Sequence, residues 1–373
     1  MRLKKIIASC KLRRVAKECK RIVVAPQGFK GTFTPVEAAL AMQEGIRSCL
    51  PGAEVVLAPV ADGGDGTLEV LMHAYEEELQ ETKVTGPFVE EGQITALWGL
   101  INDVVVIETA RIFGMSVTLT RNPMLSTTYG LGELLRQTLD AGYRNYWIGL
   151  GGSCTNDGGA GFAQALGAHL LDREGRELPQ GGGYLDQLHH LDMRDLDKRL
   201  LESNFTIACD VNNPLLGPTG ASRLYGPQKG ATPEQVEHLE KALENYAYIL
   251  MGELGLNLLG VPRAGAAGGC GAGAMAFLKS SLSSGSAEVL KMIDFEHKLE
   301  GADLVLTGEG RLDAQTSFDK APQAVADLAH QKNIPVYIIV GSAVPGVQGF
   351  DKIVEMHPGE SLAQATRRAV SVL

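Results

Sequence analysis

An α/β chain, with a doubly wound parallel sheet interrupted by a second α/β domain, is the architecture this sequence predicts. Short apolar, β-branched runs such as RIVVAP (21–26), EVVLAPV (54–60), DLVLT (303–307) and IPVYIIVG (334–341) read as strands buried on both faces of a parallel sheet. The first three pass through a glycine-containing turn, and helical signals follow. These simple units sit at the two ends of the chain, and the stretch between them has a different character. The expected organisation is therefore a basic extension at 1–20, one domain from 21–83 plus 285–373, and an inserted domain at 84–284.

The individual elements follow from local chemistry. After the strand at 21–26 the chain breaks at Pro26-Gln27-Gly28 and enters a helix at Thr34-Pro35-Val36-Glu37, where Thr is the N-cap, Pro the first helical residue and Glu the capping-box partner. The strand at 54–60 is followed by ADGGDG and a helix from about Thr67. In the insertion, 93–99 and 103–108 read as a β-hairpin, and 126–139 as an amphipathic helix. Tyr146–Leu150 is a strand running into GGSCTNDGGAG. Phe205–Ala208 is another, followed by a long segment rich in Pro and Gly. A helix then starts at Thr232-Pro233 with Gln235 completing a capping box, and Val236, Leu239, Leu243, Tyr246 and Leu250 form its apolar stripe. The glycine-dense run 264–274 suits close approach to another backbone. Glu309, Arg311 and Asp313 are expected on a loop after the 303–307 strand, with a helix at 321–330 before the last strand.

Bulk properties exclude several classes. A chain of 373 residues with 45% hydrophobic and 21% charged residues is an ordinary globular composition. A net charge of −10 argues against a general nucleic-acid or anionic-membrane binder. Residues 1–20 carry eight Lys/Arg and one Glu, but their apolar centre is too short for a signal peptide, and no stretch reaches transmembrane length. Six cysteines without CxxC spacing fit reduced thiols, hence a cytoplasmic location. A homodimer is left open.

Candidate site residues cluster on the strand-to-helix turns, where open α/β sheets bind ligands. Lys30 lies on the first. Asp62 and Asp65 flank Gly63 and Gly64 on the second, where they either share a Mg²⁺ or cap the next helix. Gly151 and Gly152, with Ser153, Thr155 and Asn156, offer backbone N–H groups and polar side chains to a phosphate. The 205–235 segment presents Asp210, Asn212, Asn213, Arg223 and Lys229, either as a loop closing on an anionic substrate or as an ordered surface loop. The active site is expected in a cleft with Lys30, Asp62, Asp65, Glu309 and Asp313 on one wall and Asn156, Asp210 and Lys229 on the other. Glycine-rich backbone, lysines and isolated carboxylates, without a P-loop or a metal-ligating His/Cys pattern, suit phosphoryl transfer to a hydroxyl.

In collinear order the chain carries VVAPxxFKG, PVADGGDGT, GLGGSxTNDGGAG, ACDVNNPLLGPTGAS…YGPQKGAT, GAAGG and TGEGRLDxQ…KAP. This series resembles the bacterial glycerate kinases of the glycerate 2-kinase class, from Arg21 to the last strand. The resemblance implies a flavodoxin-like domain interrupted by a second α/β domain, and ATP- and Mg²⁺-dependent phosphorylation of D-glycerate to 2-phosphoglycerate. On the matching motifs it points to Asp210, Lys229, Asp62 and Asp313 as catalytic. It adds Asp157, Asn212, Glu309, Arg311 and Lys320 to the binding residues already named. The chain departs from the family pattern at Gln27-Gly28, where Asp-Ser is usual, and at Phe318-Asp319. It departs again at Arg111, Ile112 and Phe113, where small residues are usual. Those changes bear on acceptor specificity: a kinase for another small hydroxy acid, or a non-catalytic binding protein, are the competing readings.

Overall fold

The structure, a computed structural model, describes residues 21–29, 31–312 and 320–371. Lys30, Asp313, Phe318, Asp319 and the 1–20 extension lie outside the described residues. The chain forms two compact units. One comprises the described residues up to Asp62, Glu69–Tyr75 and Ser286 onward; the other comprises Gly63–Leu68 and Glu76–Gly285.

In chain order the strands are β1 (Arg21–Val24), β2 (Glu54–Leu57), β3 (Gln80–Thr85), β4 (Gln93–Ile101), β5 (Val104–Glu108), β6 (Asn145–Gly149), β7 (His169–Leu171), β8 (His190–Asp192), β9 (Asn204–Ala208), β10 (Leu282–Ser283), β11 (Leu304–Leu312), β12 (Val336–Ala343) and β13 (Lys352–Glu355).

The first unit is built on a five-stranded sheet, β13-β12-β11-β1-β2, parallel throughout. Numbered within that unit the order is 2-1-3-4-5, which is the flavodoxin-like arrangement, with its switch point between β1 and β11. Ile22, Val24, Leu304, Leu306 and Ile339 pack against Met42 and Ile46 of the helix Pro35–Cys49 and Leu362 and Ala365 of the helix Leu362–Val370. The expected Thr34 capping box is present.

The second unit has a six-stranded sheet, β10-β9-β6-β5-β4-β3, in which β4 runs antiparallel to both neighbours and the other pairs are parallel. β3 pairs with β4 over its whole length, which is why residues 76–83 join this unit and not the one in which the sequence places them. The long helix Pro233–Leu254 starts with the Thr232–Gln235 capping box and buries Val236, Leu239, Leu243, Tyr246 and Leu250.

Three elements differ from expectation. β2 ends at Leu57, short of the expected Val60, although Ala58 and Val60 still donate to Val24 and Pro26; Pro59 sits between them on an edge strand, at the position whose N–H would face away from β1. The helix expected from Ser126 starts at Tyr129, since Ser126 and Thr128 are spent on hydrogen bonds to the 154–157 loop. β11 continues through Gly308–Leu312, where a loop was expected, because β12 also extends to Ala343 and supplies the partner. Glu309 and Arg311 are therefore strand residues.

Within the first unit, a Cβ on Gly45 would lie 2.3 Å from the Ala363 carbonyl oxygen and 2.8 Å from Thr366 Cβ. Gly45→Ala gains about 1 kcal/mol of helix propensity but must force the two helices apart. A net loss of about 1–3 kcal/mol in urea unfolding is expected, whereas a gain would show that the pair is loosely packed.

Candidate functional site

The carboxyl edge of the second unit's sheet brings several glycine loops together. After β6 the chain runs through 150–159 before the helix Ala160–Ala165. Here a Cβ on Gly151 would lie 2.7 Å from Gly64 Cα, and one on Gly268 would lie 1.9 Å from the Thr155 carbonyl oxygen. Side chains are excluded at both positions because backbone lies directly on backbone. Ala267, Gly268 and Gly269 all adopt left-handed conformations to make that approach. The packing reading of the 264–274 glycines is thus the observed one.

Most N–H groups of the 158–162 stretch are consumed internally. Gly158 donates to Gly268, Ala160 to the Asp157 carbonyl, Gly159 and Gly161 to the Asp157 carboxylate and Phe162 to Thr128 Oγ1. At the front of the loop the situation reverses: the N–H groups of Gly151, Gly152 and Ser153 have no hydrogen-bond partner among the described residues. Gly151 and Gly152 are also only half-buried. Successive N–H groups of this kind make an anion-binding concavity.

Asp157 and Lys229 lie beneath this surface. Asp157 is fully buried and accepts from Thr128 N–H and hydroxyl at 2.8 Å each and from Gly159 and Gly161 at 3.2 Å. Burial pushes its carboxyl pKa up against the pull of those donors. Lys229, on the single 3₁₀ turn Pro227–Lys229, donates to Thr155 O at 2.7 Å and Ser153 Oγ at 3.0 Å. Loss of hydration lowers its pKa to about 8. Both were expected at the ligand; in the structure they hold the loop's backbone. Asn156 is likewise internal, donating to Ser222 Oγ at 2.9 Å.

A second group stands at the end of β5. Glu108 is buried, and its Oε2 accepts from the Leu68 N–H at 2.9 Å while Oε1 accepts from Arg111 Nε at 3.3 Å. Desolvation raises the Glu108 pKa, opposed by those donors. Asp65 is exposed, and its two carboxylate oxygens lie 3.2 and 3.3 Å from where a Cβ on Gly152 would sit. Ile112 and Phe113 are buried in the unit's core, so only Arg111 of that bulky trio remains at the surface. The sequence reading passed over Glu108 and took Arg111 only as a departure. The signal present was their i,i+3 spacing, which puts opposite charges on one side of a helical turn.

In the 205–235 segment, Asp210 is half-buried, and its Oδ1 accepts from the Gly285 N–H at 2.7 Å and Ser284 hydroxyl at 3.1 Å. Asn212 is exposed. Arg223 pairs with Glu237 and Glu240, so its charge is spent within the unit. In the first unit, Asp62 Oδ2 accepts from Gln27 Nε2 at 2.8 Å, placing the departure at Gln27 in direct contact with a predicted site carboxylate. Glu309 is buried, Arg311 exposed, and Lys320 immediately precedes the helix Ala321–Gln331.

A glycine-loop edge with free N–H donors, an exposed carboxylate and a fixed guanidinium is chemistry for handling oxyanions. The sequence pattern that defines the Glycerate kinase family matches residues 22–371. A glycerate kinase of Halalkalibacterium halodurans is 40% identical, over 94% of this chain and 97% of its own length. A glycerate 2-kinase of Escherichia coli is 42% identical, over 88% and 86% respectively. Among solved structures, an assigned glycerate kinase 2 from Salmonella typhimurium LT2 superposes with a TM-score of 0.83 at 39% identity, covering 95% of this chain and 98% of that one. The protein is thus an enzyme of the kinase class. It belongs to the glycerate kinase family.

Lys229 makes stability depend on pH in a definite direction. Between about pH 8 and its ordinary value of 10.5 the unfolded chain binds the proton that the native state has lost, so stability rises with pH there. The rise is at most about 3 kcal/mol. In chemical denaturation, Lys229→Met should remove this rise; an unchanged pH profile would show that the amine is not held as described. Asp157→Asn leaves a single acceptor oxygen for the donors now served by two, and should cost about 2–4 kcal/mol of stability. Wild-type unfolding midpoints would refute it.

Proposed function

We infer that the protein transfers the terminal phosphoryl group of ATP to the 2-hydroxyl of D-glycerate, giving 2-phosphoglycerate in the breakdown of organic acids in the cytoplasm. The observation that carries this reading is the row of unpaired N–H groups at Gly151–Ser153 beside Asp65, on a chain of the glycerate kinase family. The name of the Escherichia coli relative, glycerate 2-kinase, supports the 2-position.

Phosphoryl transfer asks a protein for position and charge stabilisation more than for covalent chemistry. Gly151, Gly152 and Ser153 would donate to phosphate oxygens from a backbone that Lys229 and Asp157 already hold still, so little reorganisation is needed on binding. Among the described residues no group of three or more His, Cys, Asp and Glu could hold a metal ion. Magnesium fits nonetheless, because it is commonly held by one or two carboxylates together with substrate phosphates, and Asp65 is an exposed carboxylate at the right edge. The chemistry supplied by bound magnesium is neutralisation of phosphate charge. Asp210, oriented by Ser284 and Gly285, is the carboxylate proposed to accept the hydroxyl proton.

The charge balance of −10 speaks against nucleic acid as a partner. Among the described residues no helix is long and apolar enough to cross a membrane.

Incubation with ATP, Mg²⁺ and D-glycerate, coupled to NADH oxidation through enolase, pyruvate kinase and lactate dehydrogenase, should give signal without added phosphoglycerate mutase. Signal that requires the mutase would mean the 3-hydroxyl is the acceptor, and none in either case would remove glycerate as substrate. Asp210→Asn should lower kcat by about 10²–10⁴-fold with little change in stability. Near-normal turnover would leave Asp210 a structural anchor.

A further inference from the structure

Arg111 is held in a way that leaves its recognition face unused. Its backbone lies on a segment pinned to the glycine loop at several points. Thr109 donates from both N–H and hydroxyl to Gly149 O, Cys154 donates to Phe113 O, and Met115 donates to Gly152 O. The neighbouring side chains Ile112 and Phe113 are sunk in the core, which anchors the turn. Its guanidinium is oriented by Glu108, which takes only the Nε edge at 3.3 Å. Among the described residues the two terminal nitrogens, Nη1 and Nη2, have no hydrogen-bond partner. The side chain is 36% exposed whereas Glu108 is 2% exposed, so the pair is buried at one end and open at the other.

Such a guanidinium has already lost much of its side-chain freedom, and its planar fork matches the two oxygens of a carboxylate or phosphate. The pinning places its backbone segment directly against the glycine loop whose residues Gly151–Ser153 carry the free N–H groups. Structural pairing with Glu108 does not account for the open end: a lysine would neutralise Glu108 equally well, and only arginine presents a second, parallel pair of donors.

The geometry points to Arg111 as an oxyanion-binding residue of this kinase, receiving either the carboxylate of the hydroxy-acid acceptor or the terminal phosphate of the nucleotide. This rests on the reading of the protein as a kinase for a hydroxy acid, and the two sources of the oxyanion are separable. If the carboxylate is the partner, Arg111→Met and Arg111→Lys should raise KM for D-glycerate by about tenfold to a hundredfold, with KM for ATP and kcat little changed. If the phosphate is the partner, KM for ATP should rise instead. In both cases lysine should fail to restore the fork, while retaining the charge that keeps Glu108 satisfied and the protein folded.

Binding is to be measured in parallel by titration calorimetry of D-glycerate, tartronate and ATP on wild type and both variants, without turnover. A wild type that binds one of these ligands but forms no phosphoglycerate would fail the glycerate reading alone, and weaker binding by folded Arg111→Lys would still support the oxyanion role. Unaltered affinity for all three ligands in a folded variant would overturn it. So would a wild type that binds none of them.

Discussion

The buried Asp157 carboxylate is the interaction on which the second unit's glycine-loop edge depends. Placing a carboxylate out of water carries a large desolvation cost, and here four donors from two separate segments offset it. Because those donors are Thr128, Gly159 and Gly161, a single side chain ties the start of the helix Tyr129–Asp140 to the turn that follows β6. Lys229 then fastens the preceding residues from below through Ser153 and Thr155. Between them the two charged groups hold the front of the loop, whose N–H groups have no hydrogen-bond partner among the described residues.

This gives the unit a division of labour by depth. Asp157, Asn156 and Lys229 are interior and use their polarity to organise backbone. Asp65, Arg111, Gly151 and Gly152 remain at least partly accessible and keep donors or charge available. Lysine suits the inner task, as a compact charge whose separate N–H groups can reach a hydroxyl and a carbonyl. Arginine suits the outer one, because one edge can be spent on Glu108 while the opposite end stays directed outward.

The first unit is simpler: an all-parallel sheet in the order 2-1-3-4-5 with apolar strands covered by helices. The strands were legible as apolar runs and the helices as capping boxes, since both signals are local. The extension of β11 through Gly308–Leu312 was not, because it depends on β12 being equally long and adjacent. β3 was missed for a related reason: QETKVT is polar, and only pairing along β4 makes it a strand. The Gln27–Asp62 contact joins residues 35 apart that no spacing rule connects.

The family, and the glycine turns between strand and helix that carry lysines and isolated carboxylates, were legible in the sequence alone, because such turns and a collinear series of motifs need no tertiary information. Depth was decided only by the tertiary structure. A lysine or aspartate in a glycine-rich motif reads the same whether it faces a ligand or its own backbone. Lys229 and Asp157 turned inward because the loops that pack here leave buried carbonyl and N–H groups, which these two side chains satisfy. Arg111 stayed outward because Ile112 and Phe113 beside it filled the core.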